Sequence, residues 1–439
     1  LFRSDGGGLD IDLMTAIAEK LGAAVQFVPY DGALTRLENC YFLGNAATSE
    51  GGAVYNGEGA APRIMHCYFA DNSATEAGGA MANRSQSGPL VLRSLFIENG
   101  TEGPGGAVSN KACSPTFLNC IFADCAARFG GGMSSEGSQT MLKRCAFLDN
   151  SATENGGGFY SDSTWGTLLG SVLAGNYAGG SGGGLFNSRT LLCMNDTFYG
   201  NAAGISGGGV ETLETESLSI INSILWGDLP NEVVTDNPDV TTIKYSDVQG
   251  GFPGLGNIDA DPVFAQPENY KFEIDNRSPC NDTGANVPGF PHLDILGSPR
   301  PQGSAVDMGA YEFSKFGDTP NARLTANTMT GDAPLTVLLY SLSTGTSCDN
   351  IVLSGWDHGD NTASWSRDSR HTYAEPGGYS VLHAVVTAYG VDFVRAPDFI
   401  QVEEGGEGEG EGEGEGEGEG EGEGEGEGSL KIGLEPEEA

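Results

Sequence analysis

Positive charge is what this chain has least of. Against 60 Asp and Glu it carries only 21 Lys and Arg in 439 residues, a formal net charge of −39. Nucleic-acid binding is excluded on that ground, because phosphate contacts need clustered cations. Long apolar runs are missing too: no stretch of 18 apolar residues occurs, so no membrane-spanning helix is expected. Cysteine is sparse, nine in the whole chain and an odd number, below the density of a disulfide scaffold. The acidity is not confined to one tail. Residues 403–439 hold 16 acids and one Lys, a charge of −15, which leaves −39 + 15 = −24 on residues 1–402. Such a body suits an extracellular surface that repels its neighbours or collects cations. The sequence opens on Leu1 with no basic and apolar leader, which reads as a fragment whose leader and cell-envelope anchor lie outside it.

Glycine is plentiful, at 69 residues, and periodic. A glycine pair recurs at Gly51, Gly78, Gly105, Gly130, Gly156, Gly182 and Gly207, at intervals of 27, 27, 25, 26, 26 and 25 residues. A second signature keeps step: Phe42-Leu43-Gly44-Asn45, Phe69-Ala70-Asp71-Asn72, Phe96-Ile97-Glu98-Asn99, Phe147-Leu148-Asp149-Asn150 and Phe198-Tyr199-Gly200-Asn201. Short period-two segments broken by Gly, Asn and Ser are strand and turn language. A unit of this length cannot bury its own apolar face, so copies must stack. The expected result is a right-handed parallel β-helix. Phe forms an interior column, and Cys40, Cys67, Ser94, Cys120, Cys145 and Ser171, two residues earlier, share its inward parity. Asn falls at a corner, where it tolerates left-handed geometry and bonds the amide of the next rung. Cys40 with Cys67, and Cys120 with Cys145, meet the distance condition for a disulfide, and both bridged and stacked-thiol states fit.

Gly-Gly-Ala-Val at 51 and 105, with Phe-Ala-Asp-Asn at 69, resembles the repeat of the chlamydial polymorphic outer-membrane proteins, and equally that of other secreted bacterial right-handed β-helix proteins. The resemblance implies a surface-exposed, often adhesive rod. From Tyr245-Ser246-Asp247-Val248 to Tyr311-Glu312-Phe313 the sequence is similar to the C-terminal region of bacterial surface β-helix proteins that end in interchangeable anchors, and its Pro-rich, Asp-rich loops are expected to cap the rod. Trp356-Asp357-His358-Gly359-Asp360, His371-Thr372-Tyr373 and Pro376-Gly377-Gly378-Tyr379 resemble the polycystic kidney disease (PKD) domain, an immunoglobulin-like β-sandwich. His358 stands for the family's Phe and Asn361 for its last Gly, a change compatible with positive φ. Gly8 to Gly22 places Leu13, Met14, Ile17 and Leu21 on one helical stripe before a strand over 24–30. That segment resembles the early βαβ unit of the family 3 extracellular solute-binding proteins.

The organisation expected is therefore all-β: a short α/β stub over 1–36, parallel β-helix repeats over 37–245, a cap over 246–316, a PKD-like sandwich over 317–403, a Glu-Gly spacer over 404–428 and the start of a further module over 429–439. Eleven uninterrupted Glu-Gly pairs at 407–428 repel one another and bury nothing, so they extend as a solvated spacer.

The repeated residues have structural roles, and none is nominated as catalytic or cofactor-binding. Asp-Thr-Gly at 282–284 lacks the second triplet an aspartic protease needs, and His371 has no nucleophile or partner base beside it in sequence. Asp71, Asp124 and Asp149 align one place before the Asn column, an acidic stripe that makes them the metal candidates, with calcium the ion. Two functions fit: an extracellular or cell-surface structural and adhesion protein that binds a glycan or surface ligand without catalysis, or a β-helix polysaccharide lyase or glycoside hydrolase. A lyase needs a Lys or Arg base facing calcium-bound carboxylates, and a hydrolase needs paired acids on one exposed face. Lys143-Arg144 is the one adjacent pair of cations in the rungs.

Overall fold

The computed structural model describes residues 25–27, 36–213, 216–313, 319–345 and 350–404. Three parallel sheets of nine strands and a fourth of seven run the length of a solenoid, each strand hydrogen-bonded to its equivalent one repeat away. Strands are two to five residues long because each rung must turn several times within about 26 residues, and the turns are set by left-handed residues. One such corner follows the second sheet, at Asn39, His66, Arg93, Asn119 and Arg144; the next follows the third sheet, at Gly44, Asp71, Glu98, Asp124 and Asp149. Left-handed φ thus belongs to the residue before the conserved Asn, not to the Asn as expected.

Register in the third sheet matches Phe42 with Phe69, Phe96, Phe122, Phe147, Leu173, Phe198 and Leu225 in turn. The first five rings stack face to face at 4.7, 4.6, 4.9 and 4.7 Å, and all are buried. Beside them the Asn side chains form an internal ladder. Asn72 Oδ1 accepts from the backbone N–H and the Nδ2 of Asn45 at 3.0 and 2.8 Å, and the pattern repeats at Asn99, Asn176 and Asn201. Asp228 closes the ladder by accepting from Asn201. Each amide so placed satisfies a corner N–H that the sheets cannot reach. Glycine is compulsory where rungs touch: a Cβ on Gly106 would lie 2.0 Å from the Gly131 carbonyl oxygen.

The eight described cysteines are buried and none is bridged, so Cys40, Cys67, Cys120 and Cys145 are stacked thiols. Val25–Phe27, which the sequence attached to a βαβ stub, pairs in parallel with Val54–Asn56 and so heads the first sheet of the solenoid. The helix expected before it lies outside the described residues, as do 405–439 of the spacer and final module. No helix among the described residues is long and apolar enough to cross a membrane.

The expected cap does two jobs. Ile258 bridges Asp247 at the last rung and so blocks that edge. The rest of the segment lies along the flank of the rod: Gly309 N–H donates to the Asn222 carbonyl, Ala310 N–H to Thr197 Oγ1, and Tyr270 OH to Asp149. Beyond it, Leu324–Ala326, Leu335–Ser341 and Ser369–Tyr373 form one sheet, and five strands from Thr330 to Glu403 form another. They enclose Val337, Leu339, Trp356, Tyr373, Val381 and Ile400 as a sandwich core. Gly359 and Asn361 take φ of 79 and 60°, as the turn after Trp356 requires.

Candidate functional site

The outward face of the third sheet is not solvated. Strands such as Leu95–Ile97, Ile121–Ala123 and Ala146–Leu148 are apolar at every position, the composition of a strand buried on both sides. Their outward residues pack against Leu353, Leu382, Ala384, Val391 and Phe393 of the sandwich. Gly355 allows the close approach, since a Cβ there would stand 2.8 Å from Leu95 Cδ1 and 3.0 Å from Tyr68 Cε2. Tyr68 OH donates to the Ser364 carbonyl across the same contact.

This docking decides the surroundings of the acidic stripe. Asp71, Asp124 and Asp149 do stand on one corner, as the repeat implied, and Glu98 completes the column between them. Glu98 was missed although it occupies the same place in its Phe-Ile-Glu-Asn unit, because the stripe was drawn from aspartates alone. Asp71 stays exposed; Glu98, Asp124 and Asp149 are half-buried where the sandwich overlies them. Asp357, from the turn that begins at Trp356, is 4 % exposed and brings a further carboxyl group against those of Glu98 and Asp124. Like charges at about 4 Å near a protein surface repel by about 4 kcal/mol. Desolvation and the Asp357 charge accordingly push Glu98 up to about 10 and Asp124 well above the carboxylate range. Desolvation first, then Asp357 and Asp360, raises Asp71 to about 6. Asp149 also rises to about 6 through burial, against the pull of Arg395 and the Tyr270 hydroxyl.

Beside this corner His358, Asp360 and His371 form the one group of three ligand-type side chains among the described residues whose donor atoms lie within 4.8 Å of one another. Its geometry serves structure instead. The imidazoles are parallel within 3° at 4.1 Å, and ring lone pairs lie in the ring planes, so both cannot reach one ion at about 2.0–2.1 Å. Every nitrogen of His358 is engaged, with Thr362 at 2.9 Å and with Ser369 at 3.0 Å and Ser364 at 3.2 Å; His371 Nε2 bonds Asp360 at 2.6 Å. Burial and the neighbouring His371 lower His358 to about 4.

Four of the rung cations pair across rungs: Arg84 with Glu50, Lys111 with Glu136, Arg128 with Glu154, and Arg189 with Asp162 and Glu216. Arg144, of the adjacent pair noted in the sequence, donates to Asn119. Asp282 of the Asp-Thr-Gly triplet accepts from the Ala305 N–H in the flank segment, a loop-holding role.

Residues 27–176 match the model of the right handed beta helix region. The rod is therefore a right-handed β-helix. Among curated proteins none matches this chain. A β-helix is consistent both with surface binding and with action on polysaccharides, so the site must decide between them.

A cleft of about 490 Å³ between the flank segment and the sandwich bears on that choice. Gln266, Asn269, Lys271, Asn321, Arg323 and Arg395 are among its lining residues. Lys271 Nζ is held 2.5 Å from buried Asp392. Glu273, also at the cleft, is raised to about 7 by burial and by Asp392, yet its Oε2 is buried with no hydrogen-bond partner.

Proposed function

We propose that this chain is an extracellular or cell-surface rod that binds a glycan or other surface ligand without transforming it, and that its second domain is a PKD-type sandwich. The observation that carries the reading is the cleft: two arginines and three side-chain amides gathered in a body whose charge over residues 1–402 is −24. Amides and guanidinium forks suit the hydroxyls and carboxylates of an acidic glycan. A hydrolase would need an accessible acid opposite a second one, and Glu273 turns Oε2 inward. A lyase would need a free base, and Lys271 is tied to Asp392.

The test is a binding screen against acidic and neutral polysaccharides with assays for released sugar run in parallel. Saturable binding to an acidic glycan is expected, weakened tenfold or more by Arg323→Gln, a change at an exposed side chain. Release of unsaturated or reducing sugars, with or without calcium, would replace the binding reading with the enzymatic one.

A further inference from the structure

In a ladder built mainly of amides the last member is an acid. In the rungs before it each Asn accepts through Oδ1 and donates through Nδ2: Asn150, Asn176 and Asn201 give an Nδ2 proton to the carbonyls of Phe122, Phe147 and Leu173 at 3.0, 3.0 and 2.9 Å. Asp228 Oδ1 takes the accepting place, with the N–H and Nδ2 of Asn201 at 2.6 and 2.8 Å. Its Oδ2 takes the place of the donor. A Cβ on Gly158 would lie 3.2 Å from Asn176 Nδ2 and one on Gly184 3.1 Å from Asn201 Nδ2; on Gly209, the equivalent glycine of the next rung, it would lie 2.4 Å from Asp228 Oδ2. An ionised carboxylate cannot fill a donor's place, because it only accepts.

A second acid stands four residues on. Glu232 Oε1 accepts from the Asp228 N–H at 3.0 Å, which folds the loop 228–232 back on itself. Asp228 is 3 % exposed and Glu232 8 %, and Asp228 Oδ2 and Glu232 Oε2 are both buried without a donor. The two side chains are within hydrogen-bonding reach of each other, and among the described residues no Lys, Arg or His pairs with either. On the same side the Tyr199 phenol, with Glu268 and Asp261 of the flank segment, adds acids and no cation. Burial, then the Glu232 charge, raises Asp228 well above the carboxylate range, and burial raises Glu232. One proton between the two free oxygens gives both a partner.

The loop these acids tie down closes the end of the rod. Its Leu229, Asn231 and Glu232 carbonyls accept from the Ala203, Gly209 and Val210 N–H groups at 2.8, 3.3 and 2.8 Å, so it finishes the fourth sheet and leads the first into its last strand, Val233–Thr235. With Val248–Phe252 opposite, it walls a cavity of about 500 Å³.

We propose that Asp228 and Glu232 share one proton and that this proton latches the loop 228–232 over the end of the ladder, so that losing it opens the mouth of the cavity. Ionising both sets like charges side by side with no cation between them. The loop is the part able to move, since Leu229, Pro230 and Asn231 are exposed while Asn201 and Gly209 are packed between rungs. Both groups titrate higher in the folded chain than unfolded, so the latch is complete below the ordinary carboxylate range and lost as pH rises through the folded values. It does not depend on what the cleft binds.

Amide hydrogen exchange of the full chain between about pH 5 and about pH 9, corrected for the intrinsic rate at each pH, reads the latch through Ala203 and Val210. Met133, whose N–H bonds the Gly158 carbonyl in the middle of the rod, is the internal reference. Protection at Ala203 and Val210 should fall at least about tenfold relative to Met133 as pH rises, the equivalent of about one pKa unit. Asp228→Asn puts the ladder's regular residue and a permanent donor at the last rung, and should hold protection constant across the range. Glu232→Gln should do the same, and keeps the test open if the first variant packs differently. Protection that does not change with pH in the unsubstituted chain, or a fall that survives both variants, would overturn the latch.

Discussion

Two columns climb the same corner of the rod, one residue apart, and they obey different rules. The inner column reads Asn45, Asn72, Asn99, Cys125, Asn150, Asn176, Asn201 and Asp228, nearly uniform because every rung presents the same orphan amide to it. The outer column reads Gly44, Asp71, Glu98, Asp124, Asp149, Gly175, Gly200 and Gly227, all with positive φ. Backbone conformation is shared there and side chain is not. Gly44 and Gly200 face open space, so φ alone accounts for them, whereas a Cβ on Gly175 would sit 2.0 Å from the Tyr270 hydroxyl oxygen. Acids occupy the rungs that meet the sandwich turn or the Tyr270 and Arg395 pair. A solenoid thus repeats where neighbours are other rungs and varies where they are a different domain.

Breaking the inner set should have the largest effect. Phe96→Ala removes a ring stacked between Phe69 and Phe122 and should lower stability by about 3 to 5 kcal/mol, measured by denaturant unfolding of the full chain. A loss under about 1 kcal/mol would mean that the column is not a packed core.

The outer column should respond to pH. Glu98, with a folded pKa near 10, favours folding below the ordinary Glu value near 4.5, and that contribution is lost as pH rises through 10. Asp71 and Asp149 act the same way between about 4 and 6, while His358 opposes them, losing stability as pH falls from 6.5 through 4. Between pH 6.5 and 10 the acids act alone. Melting temperature without divalent ions should fall across that window, and Asp357→Asn should flatten the fall. A flat profile for the unsubstituted chain would show these carboxyls to be solvated and independent.

The smallest effect is expected at His358→Phe. Ser364 and Ser369 hydrogen-bond each other at 2.7 Å and Thr362 bonds Asp360 at 2.6 Å, so the hydroxyls keep partners when the imidazole goes. Stability at pH 7 should change by less than about 1.5 kcal/mol, and the part of the acid sensitivity between pH 6.5 and 4 should shrink. An unaltered acid limb would take His358 out of that linkage.

Much of this was legible in the chain because a repeat samples the same contact many times. Intervals of 25 to 27 residues, Phe at a fixed place and Asn three residues on imply parallel stacking, since no single unit can bury its apolar face. Apolar residues on both parities of Leu95–Ile97 and Ile121–Ala123 are the pattern of a doubly covered strand, a signal that the reading of the repeats passed over. What the chain alone left open was whatever depends on contacts between distant segments. Val25–Phe27 joined the solenoid because a free sheet edge at Val54–Asn56 offered it partners. The expected cap lay along the flank because Thr197 and Asn222 there accept its amides.

The sequence by itself determined the rung and its inner columns, because those follow from local sterics and from neighbours one period away; the left-handed residue at the corner proved to be the one before the Asn. Only the tertiary structure decided which corner acids share a buried surrounding and so hold their protons. Asp357 and Glu98 are 259 positions apart, and they meet because Gly355 lets the sandwich settle on the apolar outer face of the rod.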